Sequence, residues 1–212
     1  FDYDLREKQY EDIGYVHRED GSYGPLKDRL EMKDMDALLS NEEMGKRKQE
    51  HSYAGWWYCC IPSQIIEKNG FSLPLFIRGD DVEFSLRNKA TFLTLNGICI
   101  WHVGFAGKFN AAMELYQVHR NSLVIQATSG ICQDINFIER MRTLFLKEIT
   151  RFSYNNAEQI LDAIDDFMKG PEYITNIVGE QCLREHSAKN DKLLPIGEFP
   201  SEYNLKNADP YS

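Results

Sequence analysis

Hydrophobic and polar positions divide the chain near Tyr53. Ahead of it the residues are mostly polar, with turn signals at DGSYGP (20–25) and one short helical candidate, Asp34 to Leu39, inside LKDRLEMKDMDALLSNEEMGKRKQE. That pattern predicts a segment that covers a surface. At YAGWWYCCIP (53–62) aromatic and sulfur side chains form a continuous apolar strip, which predicts a buried or half-buried strand and the start of the core. Pro62-Ser63 opens a short helix, SQIIEK, and Asn69-Gly70 closes it with residues that tolerate the left-handed backbone. The apolar PLFI leads into Gly79-Asp80-Asp81 and then VEFSLR, a helix start carrying Phe84, Leu86 and Arg87. Thr91 to Leu95 and Ile98 to Val103 read as two strands around Asn96-Gly97, either a hairpin or two strands joined by a turn.

Beyond Asn110, a suitable cap, helical periodicity dominates. Ala112, Met113, Tyr116, His119 and Leu123 mark one long helix, and Ile135, Ile138, Met141, Phe145 and Phe152 mark a second. Ile160, Leu161, Ile164, Phe167 and Met168 mark a third, stopped by Gly170-Pro171, and a fourth spans Tyr173 to His186. From about Lys189 the chain is a polar tail with Pro195, Gly197, Pro200 and Pro210. The expected fold class is therefore α/β in the first half and all-α in the second, with a boundary near residue 130 and a helical region over 131–188.

Bulk properties narrow the function. A chain of 212 residues that is 42% hydrophobic supports a real core. Acidic residues outnumber basic ones 33 to 24, a formal charge of -9, which opposes broad contact with a phosphate backbone, so nucleic acid is not an expected partner. No apolar run approaches the roughly 20 residues of a spanning helix, and FDYDLREKQYED is too charged for a signal peptide. Five cysteines without a CxxC pair, Cys59 and Cys60 adjacent, indicate neither a disulfide framework nor a zinc site, so a cytoplasmic location is expected. A first residue of Phe1 rather than Met suggests a chain that is processed, cut or part of something longer.

The stretch FIRGDDVEFSLR crowds Asp80, Asp81 and Glu83 at the predicted helix start. One Asp suffices as a cap, worth about 1 kcal/mol. A second and third acid lose more to mutual repulsion than they gain from the helix dipole, unless a cation, a basic side chain or a proton is shared among them. His102, after the apolar ICIW, stands at a strand end, where side chains of α/β proteins project into ligand crevices; packed in the core, it needs no function. Trp56 and Trp57 are core candidates, yet adjacent strand residues face opposite sides, so one of the two is free to stack on a sugar ring.

GWWYCCIP, LPLFIRGDDVEFSLR, LNGICIWH and YQVHRNSL, in this order and spacing, resemble the second half of the nucleotide-sugar-binding domain of a family 2 glycosyltransferase of GT-A type, closest to the polymerising galactofuranosyltransferase subgroup. The ordered match covers roughly residues 1 to 125, and the helices beyond resemble that subgroup's C-terminal extension only in type. The resemblance implies a mixed sheet with helices over residues 1–130, on the acceptor side of the domain. It implies that Asp81 is the catalytic base, deprotonating the acceptor hydroxyl for inverting attack, and that Asp80 holds the acceptor. His102 matches a ligand of the divalent cation, Mn²⁺ or Mg²⁺, that bridges the donor diphosphate, and Trp56 or Trp57 matches an aromatic wall of the acceptor site. Tyr116, Arg120 and Asn121 match the YxxxRN helix beside the active site, and Glu11 in QYED lies where the subgroup has an acidic acceptor contact. The chemistry is consistent: a base must stay ionised within reach of the hydroxyl, a helix N-terminus favours that, and oxygen ligands plus one imidazole suit such a cation.

The chain departs from that pattern in two places. The nucleotide-binding βαβ half and its DxD motif are absent; Asp2 to Asp4 reads DYD but sits too close to QYED and lacks a preceding apolar strand. The expectation is a fragment lacking most of the donor site, inactive alone. His119 is offset by one residue from a histidine of the subgroup, about 100° on a helix, and takes no role.

The implied partners are a UDP- or dTDP-sugar donor and a polysaccharide or lipid-linked glycan acceptor, with peripheral contact at the inner membrane face and self-association as further expectations. Two other readings compete. In one, the tryptophans and aspartates hold a glycan without catalysis; in the other, the Asp pair only caps a helix.

Overall fold

The computed structural model describes residues 2–4, 9–11, 14–26, 34–45, 50–93, 98, 100, 109–131 and 136–191. Over these the chain is mixed α/β and mostly helical. The strands are β1 (Asp2–Asp4), β2 (Gln9–Glu11), β3 (Gly14–His17), β4 (Tyr23–Pro25) and β5 (Ser52–Ala54). β1 and β2 form an antiparallel pair with Asp2 opposite Glu11, and a second antiparallel sheet has the order β4-β3-β5.

The early chain is therefore more than a cover. β3 is the central strand of its sheet, with Tyr15 opposite Tyr53, their rings stacked at 5.6 Å, and Val16 and His17 buried. Alternation over four residues is too short to stand out in a polar segment, and pairing with β5 supplies what the local pattern lacks. The expected helix at Asp34 to Leu39 is present and longer, as α1 (Met35–Gly45).

The strand predicted over YAGWWYCCIP is a correction. β5 ends at Ala54, and Trp57, Tyr58, Cys59 and Cys60 are exposed. The chain turns at Trp56 and Trp57, and Gly55 permits this: a Cβ there would lie 2.7 Å from the Trp57 ring. Three residues of the predicted strand at Thr91 to Leu95 are described, 91–93, and they carry no strand; Leu93 is 81% exposed. The rest of the Asn96-Gly97 region, apart from residues 98 and 100, lies outside the described residues.

The helices follow the sequence pattern closely. α2 (Ser63–Asn69) ends at Gly70 with φ +75, and α3 (Asp80–Arg87) begins after Gly79. The long helix opens with a π-helical segment, Ala112–Gln117, and continues as α4 (Val118–Ser129); Asn110 Oδ1 accepts from Met113 N–H at 3.2 Å, as a cap should. α5 is Asn136–Thr150 and α6 is Tyr154–Met168, with Pro171 as the first residue of α7 (Pro171–Asn176). The fourth helix expected from Tyr173 to His186 is two: after α7 the chain is extended at Ile177 and Val178 before α8 (Gly179–Ser187). That break lets Ile177 pack against two hydrophobic clusters, and a Cβ at Gly179 would collide with the Phe76 ring.

Two larger clusters hold these elements. Tyr53, Leu75, Val82, Val124, Ile125 and Ile174 join the sheet, α3, α4 and α7, while Ala111, Leu115, Leu123, Phe137, Met141 and Ile160 join the π segment to α4, α5 and α6. Full burial of one such side chain is worth about 1.5 to 3 kcal/mol. Both clusters draw residues from either side of position 130. No described helix is long and apolar enough to cross a membrane.

Candidate functional site

The three crowded acids divide by what surrounds them. Glu83 is 1% exposed and committed to structure: it accepts from Arg87 Nε at 2.5 Å and from Leu73 N–H at 3.1 Å, while Arg87 also donates to the carbonyls of Asn69 and Phe71. Asp80 and Asp81 occupy the first turn of α3, both half-buried. The cap itself is Gly79, in the left-handed region at φ +87, so neither Asp is needed for that purpose.

Asp81 Oδ1 accepts from Val82 N–H at 2.8 Å. Burial pushes its carboxyl up to about 6; the Val82 N–H opposes this, the Asp80 charge adds to it, and Arg78 opposes it. Desolvation thus outweighs the N–H groups of the helix start in setting the proton affinity of this acid. The result is a carboxylate that is ionised above pH 6 and basic enough to take a proton near neutrality. Tyr53 and Cys59 both feel its charge.

The backbone that carries this pair is strained. Ile77 N–H bonds to Leu75 C=O at 3.0 Å, closing a three-residue turn with Phe76 at φ +69, the rarer hand of such turns; Arg78 follows at φ +68 and Gly79 at φ +87. Arg78 pairs with Glu114 at 2.6 Å. Side-chain amides from the next helix satisfy the carbonyls of this turn. Gln117 Nε2 donates to Leu75 C=O at 2.8 Å and Ile77 C=O at 3.3 Å. Asn121 Nδ2 donates to Arg78 C=O at 2.6 Å and Ile77 C=O at 2.9 Å, with Leu75 C=O at 3.2 Å.

The YxxxRN spacing acquires its physical meaning here. Residues four apart on a helix share a face, so Gln117 and Asn121 face the turn while Tyr116 and Arg120 face the C-terminal helices. Tyr116 is fully buried; its hydroxyl donates to Asp166 at 2.5 Å, contacts Cys182 Sγ at 3.0 Å and accepts from Arg120 Nη1 at 3.0 Å. Its ring lies flat on His186 at 3.5 Å. Arg120, 2% exposed, also donates to Asn121 Oδ1 at 3.0 Å, which fixes the orientation of the amide facing the turn. Burial raises the Cys182 thiol, but bonds to His186 and Tyr116 outweigh it and hold the thiol low; burial lowers His186, and its contacts with Cys182 raise it overall. Asp166, Cys182 and His186 escaped the sequence reading because each looks like an ordinary residue on its own helix.

Trp56 is half-buried, edge-on to Phe84 of α3 at 5.3 Å, whereas Trp57 is 37% exposed and packs against Tyr15. The two indoles do have different environments. The backbone of Glu11 lies in β2, and its side chain is outside the described residues, as is all of His102. His119 is buried, and burial lowers it to about 4, with the Arg140 charge adding to this and the Leu115 and Glu114 backbone opposing it. No group of three His, Cys, Asp or Glu side chains among the described residues is arranged to hold a metal ion. A cavity of about 630 Å³ lies among α6, α7 and α8, lined by Asp166, Cys182 and His186; neither Asp80 nor Asp81 borders it.

No protein-family model matches the chain. Two curated proteins do match: the galactofuranosyltransferase GlfT2 of Mycobacterium tuberculosis is 34% identical over 154 residues, 69% of this chain and 24% of that protein. GlfT2 of Mycolicibacterium smegmatis is 32% identical over 147 residues, 68% of this chain and 23% of that protein. The chain thus spans about a quarter of the length of these relatives.

Proposed function

We propose that this chain, which belongs to the galactofuranosyltransferase family of those two mycobacterial proteins, forms the acceptor side of an inverting GT-A sugar transferase in which Asp81 is the general base. The observation that carries the reading is the state of Asp81. It is half-buried at a helix start, next to a second carboxylate, and poised at about 6.

In the proposed reaction an acceptor hydroxyl, held by Asp80, gives its proton to the Asp81 carboxylate as its oxygen bonds to the anomeric carbon of the donor. The bond from that carbon to the diphosphate oxygen breaks on the opposite face, with inversion, and the nucleoside diphosphate leaves with the electron pair. Trp57 provides an exposed indole for the acceptor sugar, and Trp56 supports it from its place on Phe84. Tyr116, Arg120 and Asn121 form the helix behind the acid pair, and Glu11 is a further acceptor contact.

A divalent cation, Mn²⁺ or Mg²⁺, would supply charge neutralisation at the departing diphosphate, with His102 as this chain's ligand and the DxD carboxylates elsewhere in the enzyme. The described residues alone do not assemble such a site, and no step above runs through it. The donor is a UDP- or dTDP-sugar and the acceptor a polysaccharide or lipid-linked glycan.

The test uses the full product of the gene. Transfer should show an acid limb near pH 6 and vanish in Asp81→Asn, while calorimetric titration of UDP or dTDP with Mn²⁺ gives nearly unchanged binding. Retained turnover in Asp81→Asn rejects the base assignment. Glycan binding without any nucleotide binding favours a carbohydrate-binding module.

A further inference from the structure

We propose that Gln117 and Asn121 are positioning residues that clamp the Leu75–Gly79 turn and thereby set the place of Asp80 and Asp81. The inference rests on the reading of Asp81 as the base.

The turn cannot hold itself. Two of its residues other than glycine, Phe76 and Arg78, take positive φ, which costs on the order of 1 kcal/mol or more each unless the surroundings impose it. Helix α3 starts immediately after, so a small rotation at Arg78 or Gly79 moves both carboxylates together. The carbonyls of Leu75, Ile77 and Arg78 point to the long helix, and the only side-chain donors the structure gives them among the described residues are the amides of Gln117 and Asn121. Both amides are essentially inaccessible to solvent, at 0% and 1% exposure. A buried carbonyl left without a donor is costly, so the turn is locked to the helix as long as both amides face it.

The amides are themselves held from behind. Arg120 donates to Asn121 Oδ1, which leaves only Nδ2 to face the turn, and Arg120 is tied through the Tyr116 hydroxyl to Asp166 of α6. A side chain at position 79 would press on α4, since a Cβ there would lie 2.9 Å from Ile125 Cδ1. The C-terminal helices thus reach the turn ahead of the acid pair through a continuous series of hydrogen bonds. A misplacement of about 1 Å in a reacting group costs roughly 100-fold in rate, which is why such a clamp has kinetic consequences.

The experiment compares Asn121→Asp, Gln117→Leu and Asp81→Asn in the full gene product. Asn121→Asp keeps volume and the acceptor for Arg120 but removes the donor to the turn. Gln117→Leu removes one donor together with an oxygen that has no partner. Expected for Asn121→Asp is a folded protein whose kcat falls roughly 10- to 100-fold with donor KM within about twofold. The acid limb is read in Gln117→Leu, which brings no new charge near Asp81: it moves below that of the parent, because a released turn exposes Asp81 to water. The fall in kcat is smaller in Gln117→Leu than in Asn121→Asp. Unchanged kcat in a folded Asn121→Asp together with an unchanged acid limb in Gln117→Leu overturns the proposal, as does loss of the fold in both variants, which would make the amides purely structural. If Asn121→Asp alone unfolds, Gln117→Leu decides on the same two readouts. Turnover surviving in Asp81→Asn instead defeats the base assignment, a result independent of the clamp.

Discussion

The hydroxyl of Tyr116 donates to Asp166 Oδ2 at 2.5 Å, a buried bond that joins two helices across 50 positions of sequence. Burial raises the Asp166 carboxyl, but bonds from Lys169 and Tyr116 outweigh that and hold it below its ordinary value.

Tyr116→Phe takes the hydroxyl acceptor from Arg120 Nη1, which keeps only Cys182 Sγ at 3.8 Å, and one of its donors from Asp166, which keeps Lys169, while the stack on His186 survives. The expected loss is about 1 to 3 kcal/mol, read as a lower denaturation midpoint with an unchanged m-value.

Asp81 makes the protein less stable where it is most useful as a base. Its folded affinity for a proton, about 6 against an ordinary 3.8, is raised, so the stability it contributes is present below pH 3.8 and is lost as pH rises through 6. Asp81→Asn removes that penalty. Its unfolding free energy should exceed that of the parent at pH 7.5 by on the order of 2 kcal/mol and converge with it near pH 4, in denaturant titrations at the two pH values.

Glu83 behaves differently although it is two residues away. Glu83→Ala leaves Arg87 Nε and Leu73 N–H without their acceptor, while Arg87 keeps the carbonyls of Asn69 and Phe71. Because Arg87 is partly exposed and water can reach it, the expected cost is about 2 to 3 kcal/mol, below the full figure for a buried pair. Glu83→Gln keeps an acceptor for Leu73 and should lose about half as much, measured by the same denaturant titration.

Gly79→Ala combines a left-handed backbone with a Cβ 2.9 Å from Ile125 Cδ1. It should cost about 1 to 3 kcal/mol and lower kcat of the full gene product more than donor KM. Gly130→Ala, at φ +72 and ψ 10 in the same left-handed region with open space around it, serves as the comparison: it carries the backbone cost alone, about 1 kcal/mol, and leaves kcat unchanged.

Much of the local structure is legible in the sequence. The helices at Ser63–Asn69, Asp80–Arg87, Asn136–Thr150 and Tyr154–Met168 follow from apolar spacing and from Gly70, Asn110 and Gly170-Pro171, all of which act within a few residues of themselves. So does the crowding of acids at a helix start, and so does the ordered set of motifs that ties the chain to its relatives. Tertiary structure decided the rest, because it depends on partners far away in sequence. The strand that the apolar strip over residues 53–62 suggested stops at Ala54, where Gly55 lets the Trp57 ring fold back against the backbone. Pairing with β5 made Gly14–His17 the middle of a sheet. Arg87, paired with the buried Glu83, withdrew that acid from the candidate site, and desolvation rather than the helix dipole set the proton affinity of Asp81. Gln117 and Asn121 meet the Leu75–Gly79 turn across more than 40 positions. Local spacing shows which face of a helix a residue occupies, but only the packed chain shows what that face touches.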